Sequence, residues 1–283
     1  MNKNNIIGAV LMAAVFIGYS VYSQPSAEEK AATARQDSIE NVARKNAENA
    51  AKLAAQQKIA QAQAAAKADT TALFHSALKG KATNVVLKNS SVELTLNTKG
   101  GVVSKAVIKN FTDYNGNSNV TLFDSSSQSL NFALAAKEVN INTADLYFTP
   151  SNQTDSTVTM TATAGDGKEL VINYVLGSDY MLHAKLQTVG MANDFAPSAS
   201  QMDVQWKEMC RQQERGFTFE NRYASLTYHK VDGGTDYLSE AKSITDENIE
   251  KKIDWVAFKN QFFSAVMIAK NNFAENSLMT SVP

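Results

Sequence analysis

His75, His183, His229 and Cys210 are the side chains of this sequence best suited to proton transfer, nucleophilic attack or metal ligation. Zinc needs three or four ligands, usually gathered by local spacing. None of the three histidines has a Cys, His or carboxylate at i+2 to i+4 in a recognisable ligand pattern. Sugar epimerisation would need a histidine acid and a carboxylate base facing one substrate. His183 and His229 are the histidines to pair with Glu208, Glu214 or Glu220, but spacing alone does not bring them together. In the run Tyr180–Leu186, His183 has the opposite parity to Leu182, Ala184 and Leu186, which places it on the wetter strand face. Arg211 beside Cys210 would favour a thiolate, yet the histidine and asparagine signature of a cysteine nucleophile is missing. No phosphate-binding glycine loop occurs. The sequence therefore predicts no catalytic, cofactor-binding or metal-binding residue, no cofactor, and no enzyme activity.

The bulk properties agree with that restraint. Over 283 residues the chain is 44% hydrophobic and 19% charged, with a formal net charge of −1. Long basic stripes are absent, so nucleic acid is not an expected partner. A single cysteine cannot form an internal disulfide and says little about redox compartment.

Three segments would have to position whatever the chain does. An apolar run from Ile6 to Tyr22 follows a short polar tail. As a helix it would rise about 25 Å, slightly short of a ~30 Å hydrocarbon core, with Tyr19 and Tyr22 at the far interface. The reading is a membrane anchor over 1–24. A cleaved signal peptide is the alternative, although Ser20-Val21-Tyr22-Ser23-Gln24 is a poor cleavage site. Residues 25–70 are rich in Ala, Gln, Lys and Glu; within them, Ala27 to Ala68 lacks glycine and proline and predicts a helical tether of about 63 Å. Ile39, Val42, Leu53 and Ile59 are too few for a sustained coiled-coil seam.

From residue 71 the hydrophobic period falls to two. Val92/Leu94/Leu96, Leu130/Phe132/Leu134, Val158/Met160/Ala162, Leu170/Ile172/Tyr174/Leu176 and Met202/Val204/Trp206 alternate with polar neighbours. Asn115-Gly116, Gly165-Asp166-Gly167 and Asp232-Gly233-Gly234 supply turn chemistry, and the second joins two alternating runs as a hairpin. Many short strands at this spacing predict a mainly β fold, an antiparallel sandwich. Lys207 to Arg215 reads as a solvated charged loop, and Trp255, Phe258, Phe262 and Phe263 as core, or as contacts for lipid or neighbouring helices.

Two motifs carry a resemblance. Leu94-Thr95-Leu96-Asn97-Thr98-Lys99-Gly100-Gly101-Val102-Val103 resembles the first periplasmic strand pair of YidC-type membrane protein insertases, with Gly100-Gly101 turning the corner and Thr98 bonding it. Asp254-Trp255-Val256-Ala257-Phe258-Lys259-Asn260-Gln261-Phe262-Phe263 is similar to a later aromatic segment of that family, with Asp254 where the family often has glycine. The anchor and Ala/Gln-rich tether resemble Bacteroidetes-type members. The resemblance implies a β-supersandwich related to galactose-mutarotase-like domains, lying in the periplasm and held to the bacterial inner membrane by one amino-terminal anchor. It implies that the domain over 71–283 continues past the last residue, and that a separate transmembrane core, absent here, performs insertion. The implied partners are that core, nascent membrane proteins, the Sec translocon, and membrane lipid through residues 6–22. The competing reading is a membrane-tethered carbohydrate-binding or sugar-epimerising sandwich.

Overall fold

Alternation of large apolar and small polar side chains along short segments builds an antiparallel β protein. The computed structural model describes residues 72–137, 140–195, 201–239 and 245–282. The expected anchor and the tether lie outside the described residues. Among those residues, no helix is long and apolar enough to cross a membrane.

Among the described residues, seventeen strands form five sheets, and every pairing is antiparallel. The first sheet runs in order through β1 (Asn84–Lys88), β2 (Val92–Asn97), β3 (Val102–Lys109) and β4 (Asn119–Phe123). The second runs β7 (Thr149–Ser151), β8 (Thr157–Gly165), β9 (Lys168–Leu176), β10 (Leu182–Val189). A third places β5 (Gln128–Ala135) between β6 (Asn140–Asn142) and β11 (Asp203–Glu208). The fourth has the order β13 (Thr235–Ser239), β12 (Ser225–Lys230), β15 (Ile253–Lys259), β16 (Ser264–Phe273). Finally, β14 (Thr245–Ile249) pairs with β17 (Ser277–Ser281). A short helix, α1 (Phe217–Asn221), precedes β12.

The predicted alternation holds where two sheets share a core. Val92, Leu94 and Leu96 of β2 are buried, as are Val158, Met160, Ala162 and Ala164 of β8 and Leu170, Ile172, Tyr174 and Leu176 of β9. They belong to one apolar cluster, the sandwich-like packing expected. A smaller cluster of Leu226, Tyr228, Leu238, Ile249, Ile253 and Met279 seals the fourth and fifth sheets. The β8–β9 hairpin closes at Gly165–Lys168 as predicted.

The glycine corner works differently from the expectation. Gly100 and Gly101 both have positive φ, 89° and 67°. Thr98, however, does not bond the corner. Its buried hydroxyl accepts the Thr83 N–H at 2.8 Å and lies 3.2 Å from the Thr83 carbonyl, tying down the chain that leads into β1. Asn97 braces the corner instead, its Oδ1 accepting the Lys99 N–H at 2.8 Å. The Tyr174 hydroxyl reaches across from β9 to donate to the Gly101 carbonyl at 2.8 Å, and its burial pushes the phenol well above its ordinary pKa. The motif therefore joins two sheets, because a residue without Cβ lets the backbone pass against the Phe148 ring.

Candidate functional site: an open apolar groove and the polar clamp beside it

β5 departs from the expected alternation: of Leu130, Phe132 and Leu134, only Leu134 is buried. Leu130 and Phe132 instead line an open groove of about 2070 Å³. Its floor comes from β2, β3, β5 and β11, through Leu94, Ile108, Phe132 and Trp206 among others. Its sides are residues 180–186, leading into and along β10, and residues 262–278, which include all of β16. Consecutive rather than alternate residues line both sides, as happens when a strand is met along its edge. β10 and β16 are end strands of their sheets, so their outer N–H and C=O groups have no strand partner among the described residues. Val266 and Ile268 stand 51% and 57% exposed on β16. The groove is suited to an extended polypeptide that adds a strand and buries alternate apolar side chains.

A buried polar clamp borders this groove. Glu220, on α1, is 3% exposed, and its carboxylate accepts three N–H groups. These come from Gln213 N at 3.0 Å, Glu214 N at 3.0 Å and Asn260 Nδ2 at 2.9 Å. Asn260 also donates to the Arg211 carbonyl, while its Oδ1 accepts the Phe262 and Phe263 N–H groups in the β15–β16 turn. Gln213 Nε2 donates to the Thr121 carbonyl of β4, and Arg211 pairs with Asp124. Hydrogen bonding from Ser126, aided by Arg211, holds the Asp124 carboxyl below its usual range. The stretch from Lys207 to Arg215 is therefore not the solvated loop its charge suggested. Gln213 is buried, and the carboxylate that fixes it lies beyond the run.

The sequence-selected residues scatter. His75 sits in a 3₁₀ turn over His75–Leu78. His183 is exposed at the groove margin, as parity predicted. His229 does not meet Glu208, Glu214 or Glu220; its Nδ1 lies 2.9 Å from Asp254 Oδ1, and its ring stacks on Trp255 at 5.9 Å and 11°. Asp254 was not selected as its partner, because a β-bulge between Ile253 and Trp255 sets that position and its local sequence does not announce one. Cys210 is half-buried, with Sγ 3.8 Å from the Lys259 carbonyl. Of the aromatic segment, Phe258 packs edge-on against Trp206 and Phe263 against Phe111, both half-buried, while Phe262 is 66% exposed rather than core. Among the described residues, no group of three or more His, Cys, Asp or Glu side chains is placed to hold a metal.

Glu208 ends β11 with Oε2 buried and without a hydrogen-bond partner among the described residues. Desolvation pushes its carboxyl up to about 8 from an ordinary 4.5. Between those values the folded protein keeps a proton that the unfolded chain releases, so this group lowers stability as pH rises from 4.5 toward 8. Glu208→Gln is expected to leave stability near pH 4.5 unchanged and to raise it at pH 9 by about 1–3 kcal/mol. Urea unfolding at the two pH values measures this; equal effects at both would show that the carboxyl ionises normally.

Fold and groove together define an antiparallel β domain with sandwich-like packing and an open apolar groove. The profile of the YidC periplasmic domain matches residues 84–282. The chain is 43% identical, over its whole length, to the membrane protein insertase YidC of Phocaeicola vulgatus, and 37% identical to that of Bacteroides fragilis strain ATCC 25285. It covers 45% of each of those relatives, slightly less than half their length. That of Parabacteroides distasonis is 32% identical over 98% of this chain and 46% of the relative. The chain belongs to the YidC periplasmic domain family.

Proposed function

We propose that this chain is the noncatalytic periplasmic part of a membrane protein insertase, helping to insert and fold inner-membrane proteins with the Sec translocon or alone. Residues 1–24 anchor it in the inner membrane through lipid contacts of residues 6–22. Residues 25–70 form a helical spacer, and 71–283 form the β-domain in the periplasm, a supersandwich of the galactose-mutarotase-like kind. The open groove supports this reading: edge strands and apolar walls suit polypeptide rather than a small polar substrate. The groove is the face that meets the insertase's transmembrane core, which handles the nascent membrane proteins.

One arrangement favours sugar chemistry instead. The His229–Asp254 pair with Trp255 stacked beside it offers an acid–base couple and an aromatic platform on one sheet face. The two readings separate cleanly. Depleting the full-length insertase in its host is expected to block membrane insertion of inner-membrane proteins, and a His229→Gln version to restore it fully. The purified chain is expected not to accelerate anomer interconversion of simple sugars above buffer. Acceleration that His229→Gln abolishes while the fold is kept would establish the sugar reading.

A further inference from the structure

The two longest end strands among the described residues border the same groove. β16 runs for 10 residues and β10 for 8, while the other strands that end a sheet span 3 to 6. Folded proteins keep free edges short or interrupt them, because every outward N–H and C=O is a place for another chain to pair. β6 and β7 follow that rule at 3 residues each, with Pro150 inside β7. β10 and β16 carry no proline, and both flank one apolar floor. Two long, unguarded edges at one apolar floor are what a strand-accepting site requires.

The room between them sets how many strands enter. Residues 180–186 line the β10 side. An extended strand of that length fills about 1,100 Å³, at ~3.3 Å per residue, ~4.8 Å between strands and ~10 Å between sheets, and two side by side fill about 2,200 Å³. The groove holds about 2070 Å³. One strand would leave about half of that room unpacked.

Charge specifies the guest further. Over the whole groove the charged side chains balance, Lys185, Lys252 and Lys270 against Asp203, Glu214 and Glu275, so net charge selects no partner. The edge strands are not balanced in themselves: β10 carries Lys185 and β16 carries Lys270, and neither carries a carboxylate. A cross-strand neighbour of opposite charge stabilises a ladder, and one of like charge opposes it.

We propose that the groove takes a β-hairpin presented by the insertase's core, one strand pairing with β10 and the other with β16, with a carboxylate of the guest beside each of Lys185 and Lys270. Apolar side chains on the inner face of the hairpin cover Leu130, Phe132 and Trp206 of the floor. A hairpin is the shortest connection that delivers two antiparallel strands, and it closes both edges at once. The inference rests on the insertase reading above and specifies the form of the partner at that site.

The test compares amide hydrogen exchange of the 283-residue chain and of the full-length insertase in the same nanodiscs. In the full-length protein, amides of both β10 and β16 are expected to exchange about tenfold more slowly or better. Those of β1, an end strand that does not line the groove, are expected to be unchanged. Lys185→Glu combined with Lys270→Glu in the full-length protein is expected to undo most of the slowing at both edges. Slowing confined to one edge would overturn the hairpin, and equal slowing at β1 would reduce the effect to a general tightening of the domain and overturn it too. Slowing that survives both lysine changes would overturn the acidic guest. Hydroxyl-radical oxidation of Phe132 and Met181, which line the groove, separates this inference from the reading beneath it. Shielding of those side chains without slowed edge amides leaves the core seated in the groove and sinks the hairpin; neither shielding nor slowing sinks both.

Discussion

Glu220→Ala is expected to destabilise the β-domain by about 3–5 kcal/mol, since it strands three buried N–H donors that each cost roughly 1–3 kcal/mol when left without an acceptor. The carboxylate holds three donors, Gln213 N, Glu214 N and Asn260 Nδ2, and alanine leaves them facing one another without an acceptor. Asn260→Ala is expected to cost about 2–3 kcal/mol, since it frees the Phe262 and Phe263 amides and takes one of its three donors from Glu220. The two residues share a bond, so the double variant is expected to lose about 1–2 kcal/mol less than the sum. Urea midpoints for the four proteins measure the cycle. Strict additivity would mean that Glu220 and Asn260 act independently, which contradicts the 2.9 Å contact.

Gly101→Ala is expected to cost about 2–5 kcal/mol, and Gly100→Ala only about 1–2 kcal/mol. Both positions have positive φ, so both substitutions carry the left-handed penalty. The difference is packing. A Cβ on Gly101 would stand 2.9 Å from the buried Phe148 ring, whereas one on Gly100 meets nothing closer than 3.5 Å. Shifting Gly101 also disturbs the carbonyl that accepts the Tyr174 hydroxyl between the sheets. Thermal melts of the two variants side by side test the argument. Equal losses would mean that backbone conformation alone makes the corner glycine-only.

Much of the core was legible because period two is a local property. β2, β8 and β9 could be read residue by residue, as could the hairpin at Gly165-Asp166-Gly167, since burial on one face leaves its mark on every second side chain. β5 misled for the same reason: Leu130 and Phe132 alternate as core residues do, but the face they share opens onto a groove. Periodicity reports which side is apolar and is silent about what covers it. The clamp was opaque because its bonded members are separated by up to 92 residues and each looks like an ordinary surface polar residue. Asn260 did lie inside the aromatic motif that carried the family resemblance, so the signal was present without its meaning. Likewise Thr98 was correctly singled out and wrongly partnered, since its bonds go to Thr83, 15 residues back.

The two end strands that frame the groove have a practical consequence for anyone handling the isolated domain. Each is a template on which another chain can continue the ladder, and β16 presents Val266 and Ile268 with no proline to interrupt it. Lys185 on β10 and Lys270 on β16 supply like charge against edge-to-edge stacking of copies, but only while salt is low enough not to screen them. Concentrating the protein at high ionic strength therefore removes the main obstacle to intermolecular strand exchange, and aggregates grown that way will be sheet-rich and seeded from this seam.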